Sequence, residues 1–138
     1  MLIRDCQNDD MAKVVEIYNA ARSPEACFTN AEMSEQKFST LIRDEKLYVA
    51  IVSNEISGFV SIWPRERFIH HLYILPSFQN QGIASGLVRH CLQGFGRPLS
   101  LKSLEANKRA CKFYENMGWS CEDTGRGSDG PYRHYWLR

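Results

Sequence analysis

The chain has 138 residues, of which 43% are hydrophobic and 24% charged, and its net charge is +1. That length suits one domain, residues 1–138, with a real core. The near-neutral balance argues against a nucleic-acid partner, and no run approaches the roughly 18 apolar residues that cross a bilayer.

Residues 1–5 lack a basic stretch followed by an apolar one, so no signal peptide is read and a cytoplasmic location is expected. Residues 2–4 suit a short first strand. Asp9 or Asp10 then suits a helix N-cap. Met11, Val14, Val15 and Tyr18 follow at helical spacing. Ser23 and Pro24 stop that helix, residues 22–33 read as a loop, and residues 34–44 as a second helix carrying Phe38, Leu41 and Ile42. Residues 47–52 form a near-continuous apolar run, Ser53, Asn54 and Glu55 a hairpin turn, and residues 56–63 alternate with strand periodicity up to Pro64. Another strand is expected over residues 68–74.

A polar turn with Gly82 and Ala84 separates that strand from a helical stripe of Leu87, Val88, Cys91, Leu92 and Phe95. Strand, short turn, helix is a favourable order for binding phosphate. The first helical turn leaves N–H groups without partners, and the helix dipole adds positive charge there. Residues 99–104 read as a strand. Asn107 caps a further helix whose inner face is Ala110, Phe113, Tyr114 and Met117, and Gly118 ends it. Residues 119–123 and 132–137 read as two final strands, joined by a polar, flexible turn over residues 124–130. The five cysteines, Cys6, Cys27, Cys91, Cys111 and Cys121, show no metal-binding or redox spacing and read as reduced thiols.

Two blocks then carry a resemblance. Gln79-x-x-Gly82-x-Ala84 resembles the acyl-CoA pyrophosphate loop of the GCN5-related N-acetyltransferases (GNAT), and Leu72-Tyr73-Ile74-x-Pro76 is similar to that family's central strand and its exit. Asn107-x-x-Ala110-x-x-Phe113-Tyr114-x-x-x-Gly118-Trp119 resembles its second motif. The order of elements matches over essentially the whole chain. The resemblance implies an α/β single-domain acyl-CoA N-acyltransferase fold. Its sheet would be mixed and mostly antiparallel, with a splayed parallel strand pair and helices on both faces. It implies acetyl-CoA as cosubstrate, no metal, and an amine acceptor that is a small molecule or a protein amine. No nucleic acid and no membrane is expected, and the protein would be a monomer or homodimer.

By the same resemblance the pantetheine arm lies between residues 68–74 and 99–104, against the backbone of Leu72, Tyr73 and Ile74. The pyrophosphate rests on Gln79, Asn80, Gln81, Gly82, Ile83 and Ala84, and Asn107 contacts the pantetheine. Tyr114 matches the general acid, since a phenol is protonated at neutral pH and can donate to a departing thiolate. Packing in the core is the alternative for it. His70 and His71 are the candidates for the base that takes the amine's proton. Strand alternation puts them on opposite faces, so at most one faces a given side. Glu66 is a weaker candidate. Lys108 and Arg109 either meet the cofactor's 3′-phosphate or form a solvated face. The acceptor is expected between residues 22–33, the second helix and residues 123–132, where Glu25, Glu32, Glu35 and Asp129 can attract a cation. The competing reading is a non-catalytic CoA-binding or sensor domain. A dinucleotide-binding fold is disfavoured, because no Gly-x-Gly-x-x-Gly follows the first strand.

Overall fold

The computed structural model describes residues 1–22 and 32–138. Its strands are β1 (Leu2–Asp5), β2 (Lys46–Val52), β3 (Glu55–Trp63), β4 (Phe68–Ile74), β5 (Leu99–Leu104), β6 (Ser120–Gly127) and β7 (Gly130–Leu137). Its helices are α1 (Met11–Ala21), α2 (Glu35–Leu41), α3 (Ile83–Phe95) and α4 (Lys108–Asn116). The strands form one mixed sheet in the order β1-β2-β3-β4-β5-β7-β6. Neighbours pair antiparallel except β4 and β5, which run parallel.

Both sheet faces are covered, which is why β2 and β3 are buried through their centres despite the alternation of β3. Val14, Ile17 and Tyr18 of α1 and Phe38 of α2 pack on Val49 and Phe59 on one face. Leu87, Val88 and Cys91 of α3 and Cys111 and Tyr114 of α4 join Val60, Ile62 and Ile69 on the other. Ser57 is fully buried and donates to the Ala50 carbonyl at 3.1 Å, so its hydroxyl is satisfied inside the sheet.

Three local expectations change. The start of α1 is not capped by an Asp9 or Asp10 side chain, because Asn8–Asp10 form a 3-10 turn ahead of it. The Asp10 carboxylate turns back, accepting from the Gln7 N–H at 2.7 Å and from the Arg4 guanidinium at 2.7 and 3.1 Å. The second helix stops at Leu41 rather than at residue 44. The polar stretch 124–130 is mostly strand. Thr124 pairs with Arg133 and Gly127 with Gly130, which leaves Ser128 and Asp129 as a two-residue turn. Glycines weaken a strand, but β7 is already anchored on β5 along its length and supplies a template for pairing. The stop at Ser23-Pro24 falls outside the described residues, as does Cys27. Cys6, Cys91, Cys111 and Cys121 are free thiols.

Candidate active site

The parallel pair β4–β5 is held by only two register pairs, Phe68 with Ser100 and Ile69 with Leu101. Beyond them the strands splay. Leu72, Tyr73 and Ile74 keep their β3 partners Val60, Phe59 and Gly58 on one side. Their other backbone edge faces a cleft of about 1120 Å³, walled by β4, β5, α3 and α4. Such an edge carries N–H and C=O groups that an extended ligand with amides can satisfy.

One end of this cleft is formed by the N-terminus of α3. After the 3-10 turn Pro76–Phe78, the chain reaches α3 through Asn80 at φ 65° and Gly82 at φ 81°. The left-handed backbone at Gly82 favours glycine, and the space where a Cβ would sit is open. The first bond of the helix runs from the Gly86 N–H to the Gly82 carbonyl, so the preceding N–H groups are left for a ligand. The Gln79 side chain does not point its amide at this space; it donates to the Ile74 carbonyl at 3.3 Å and ties the loop to the end of β4. Arg109 donates to Asn80 Oδ1 at 2.9 Å, which brings its charge to the loop. Asn107 caps α4 as expected, accepting from the Ala110 N–H at 3.2 Å.

The two histidines contradict strand alternation. The β3–β4 register passes from Ser61–His71 to Ile62–Ile69, so His70 is an extra residue in a bulge. The bulge turns both rings to the same side, where they stack with centroids 3.9 Å apart. Both line the cleft. His71 is buried against Tyr18 and Phe38, and its Nδ1 lies 2.8 Å from Ser61 Oγ. Burial pushes its pKa down to about 2, helped by neighbouring His70 and Arg22, so it stays neutral and is a poor proton acceptor. His70 is half-exposed, and its Nδ1 lies 2.8 Å from Glu45 Oε2. Sequence reasoning missed Glu45; 25 residues of separation leave no local signal. Glu66 sits in the turn before β4, at the closed end of the strand pair.

Tyr114 lies behind the cleft wall rather than on it. Ala110, Phe113 and Asn116 of α4 line the cleft. Tyr114 is 9% exposed, with its ring against Phe113, Trp119 and Tyr135. Burial first, then Tyr73 and Cys111, raise its pKa well above that of a free phenol, so its hydroxyl stays protonated at neutral pH.

At the other end of the cleft Arg22 donates to the Tyr73 hydroxyl at 2.9 Å and to Asp129 Oδ2 at 3.2 Å. Its guanidinium lies 4.9 Å from the Tyr18 ring centroid. Asp129 therefore meets a cation of its own chain in this structure. Leu41 and the turn from Gly127 to Gly130, which fall in the expected acceptor region, also line the cleft. Glu25 and most of the 22–33 loop are outside the described residues, and Glu32 and Glu35 do not line the cleft.

Residues 11–119 match the model of the acetyltransferase (GNAT) family. No curated protein matches the chain. Among solved structures, a GCN5-related N-acetyltransferase from Rhodopseudomonas palustris superposes with a TM-score of 0.83 at 16% identity, covering 98% of this chain and 93% of that one. An N-acetyltransferase from Staphylococcus aureus Mu50 gives 0.75 at 21% identity, covering 99% and 96%. The ribosomal-protein-S18-alanine N-acetyltransferase of Escherichia coli gives 0.75 at 16%, covering 99% and 92%. At these identities the structural likeness establishes the fold.

Proposed function

Because the chain belongs to the GNAT acetyltransferase family, we propose that it moves an acetyl group from acetyl-CoA to a primary amine, by direct attack with both substrates bound. The observation that carries this reading is the splay of β4 from β5 after two register pairs, opening beside the helix N-terminus at Gly82. The pyrophosphate would sit on the N–H groups from Gln81 to Ala84, with Asn80 and Arg109 at the flank and Gln79 holding the loop in place. The pantetheine amides would pair with the cleft-facing edge of β4 at residues 72–74. Asn107 contributes its side-chain NH₂, since its oxygen is engaged in the cap.

In this reading the amine nitrogen forms a bond to the thioester carbon, and a backbone N–H near Tyr73 or Ile74 stabilises the oxyanion. His70 takes the amine's proton, directly or through water. Of the two histidines it is the exposed one, and Glu45 orients its ring. The C–S bond then breaks, and Tyr114 donates a proton to the thiolate. Transfer needs no enzyme nucleophile. A second reading is supported by the position of Tyr114 behind Phe113: a CoA-binding or sensor domain that keeps the cleft without catalysis.

The test is a panel of amines (amino acids, polyamines, aminoglycosides, and peptides with free N-termini or lysines) with release of the CoA thiol followed. Acetyl-CoA alone should turn over slowly and at least one amine class should accelerate it. Tight acetyl-CoA binding with no accelerating amine would favour the sensor reading.

A further inference from the structure

The bulge in β4 does more than expose a base. It brings two imidazoles to one side of the sheet, beside the carboxylate of Glu45, with the ligand atoms of Glu45, His70 and His71 all within 4.8 Å of one another. The Glu45 side chain is only 8% exposed, yet its Oε1 has no hydrogen-bond partner among the described residues. A buried carboxylate oxygen without a partner is costly. Its other oxygen lies against His70 Nδ1 at 2.8 Å.

We propose that Glu45, His70 and His71 form a Zn²⁺ site in the wall of the cleft. Zinc bonds to nitrogen and carboxylate oxygen are about 2.0–2.2 Å long, so donors around one ion lie within about 4.4 Å of each other. The 4.8 Å limit of the cluster lies close to that span. Two imidazoles and one carboxylate suit zinc, whereas magnesium and calcium favour all-oxygen shells. Three protein ligands leave a fourth position open towards the cleft. Ser61 Oγ lies 2.8 Å from His71 Nδ1; in the proposed site His71 donates its Nδ1–H to that oxygen and ligates through Nε2. The ion replaces the hydrogen between Glu45 and His70, and that proton moves to His70 Nε2. The lone pair that would accept the amine's proton is then lost, so zinc inhibits acetyl transfer; this consequence alone rests on the function proposed above.

The experiment is titration of chelator-treated protein with Co²⁺, without substrates, followed by visible absorption and then Zn²⁺ competition. One Co²⁺ per chain with ligand-field bands, displaced by Zn²⁺, is expected. Glu45→Gln and His70→Gln, each with wild-type far-UV circular dichroism, should weaken binding by at least about tenfold, the lower end of the effect of losing a metal-site partner. Cys121→Ser, which removes an exposed thiol, should leave the spectrum unchanged. Absence of stoichiometric binding, equal affinity in both cluster variants, or loss of the spectrum in Cys121→Ser would each overturn the site. Binding is read without turnover, so failure of the acetyltransferase reading leaves this result standing, and the converse holds.

Discussion

The proposed chemistry rests on two single side chains, Tyr114 and His70. Replacing Tyr114 by Phe keeps the ring contacts with Trp119 and Tyr135 and removes only the hydroxyl. If that hydroxyl protonates the leaving thiolate, single-turnover rates should fall by about 10²–10⁴-fold, the usual range for general acid catalysis, with acetyl-CoA affinity little changed. Wild-type rates would make Tyr114 a packing residue, consistent with its place behind Phe113. His70→Ala should slow the same step by a similar factor, because its neighbour His71 is held neutral by burial and cannot substitute. An unchanged single-turnover rate in His70→Ala would assign the proton to water. Tyr114 fell on the apolar helix stripe, where its burial is visible in the periodicity. The direction of each histidine was not legible, since a one-residue bulge reverses every alternation argument beyond it.

The strand-to-helix connection at Gly82 is the element on which the proposed cofactor site depends. Its backbone is left-handed, its Cβ position is open, and the N–H groups of the first turn of α3 face outward. Gly82→Glu places a carboxylate where a pyrophosphate would rest and should weaken acetyl-CoA by at least about tenfold, or roughly 1.4 kcal/mol. Calorimetry on Gly82→Glu beside Gly82→Asn separates repulsion from backbone strain, because Asn tolerates this conformation. Equal, wild-type affinity in both would remove the loop from the site. This element was fully legible, since turn residues, helix propensity and the cap all act within a few residues of one another. The β6–β7 hairpin was not. Its glycines and charges over residues 124–130 read as a flexible turn, but pairing with β7 extends β6 to Gly127.

For the molecule as a whole, the cleft is a gap in an otherwise continuous sheet, and a ligand that pairs along the edge of β4 closes it. Acetyl-CoA should therefore stabilise the folded state by mass action. At about one hundred times its dissociation constant the gain is about 2.7 kcal/mol, or a rise in Tm of roughly 5–15 °C for a chain of this size. Thermal unfolding with and without the cofactor measures it, and an unchanged Tm at saturating concentrations would count against the cleft as its site. The order of elements, the family, the strand–turn–helix passage at Gly82 and the cap at Asn107 could all be read from the chain, because each is encoded in contiguous residues. Tertiary structure alone decided that Glu45 meets His70, that Arg22 reaches Asp129 across 107 residues, and that both histidines share one side. Those contacts depend on which strands neighbour each other and in what register, and no local pattern in the chain records that.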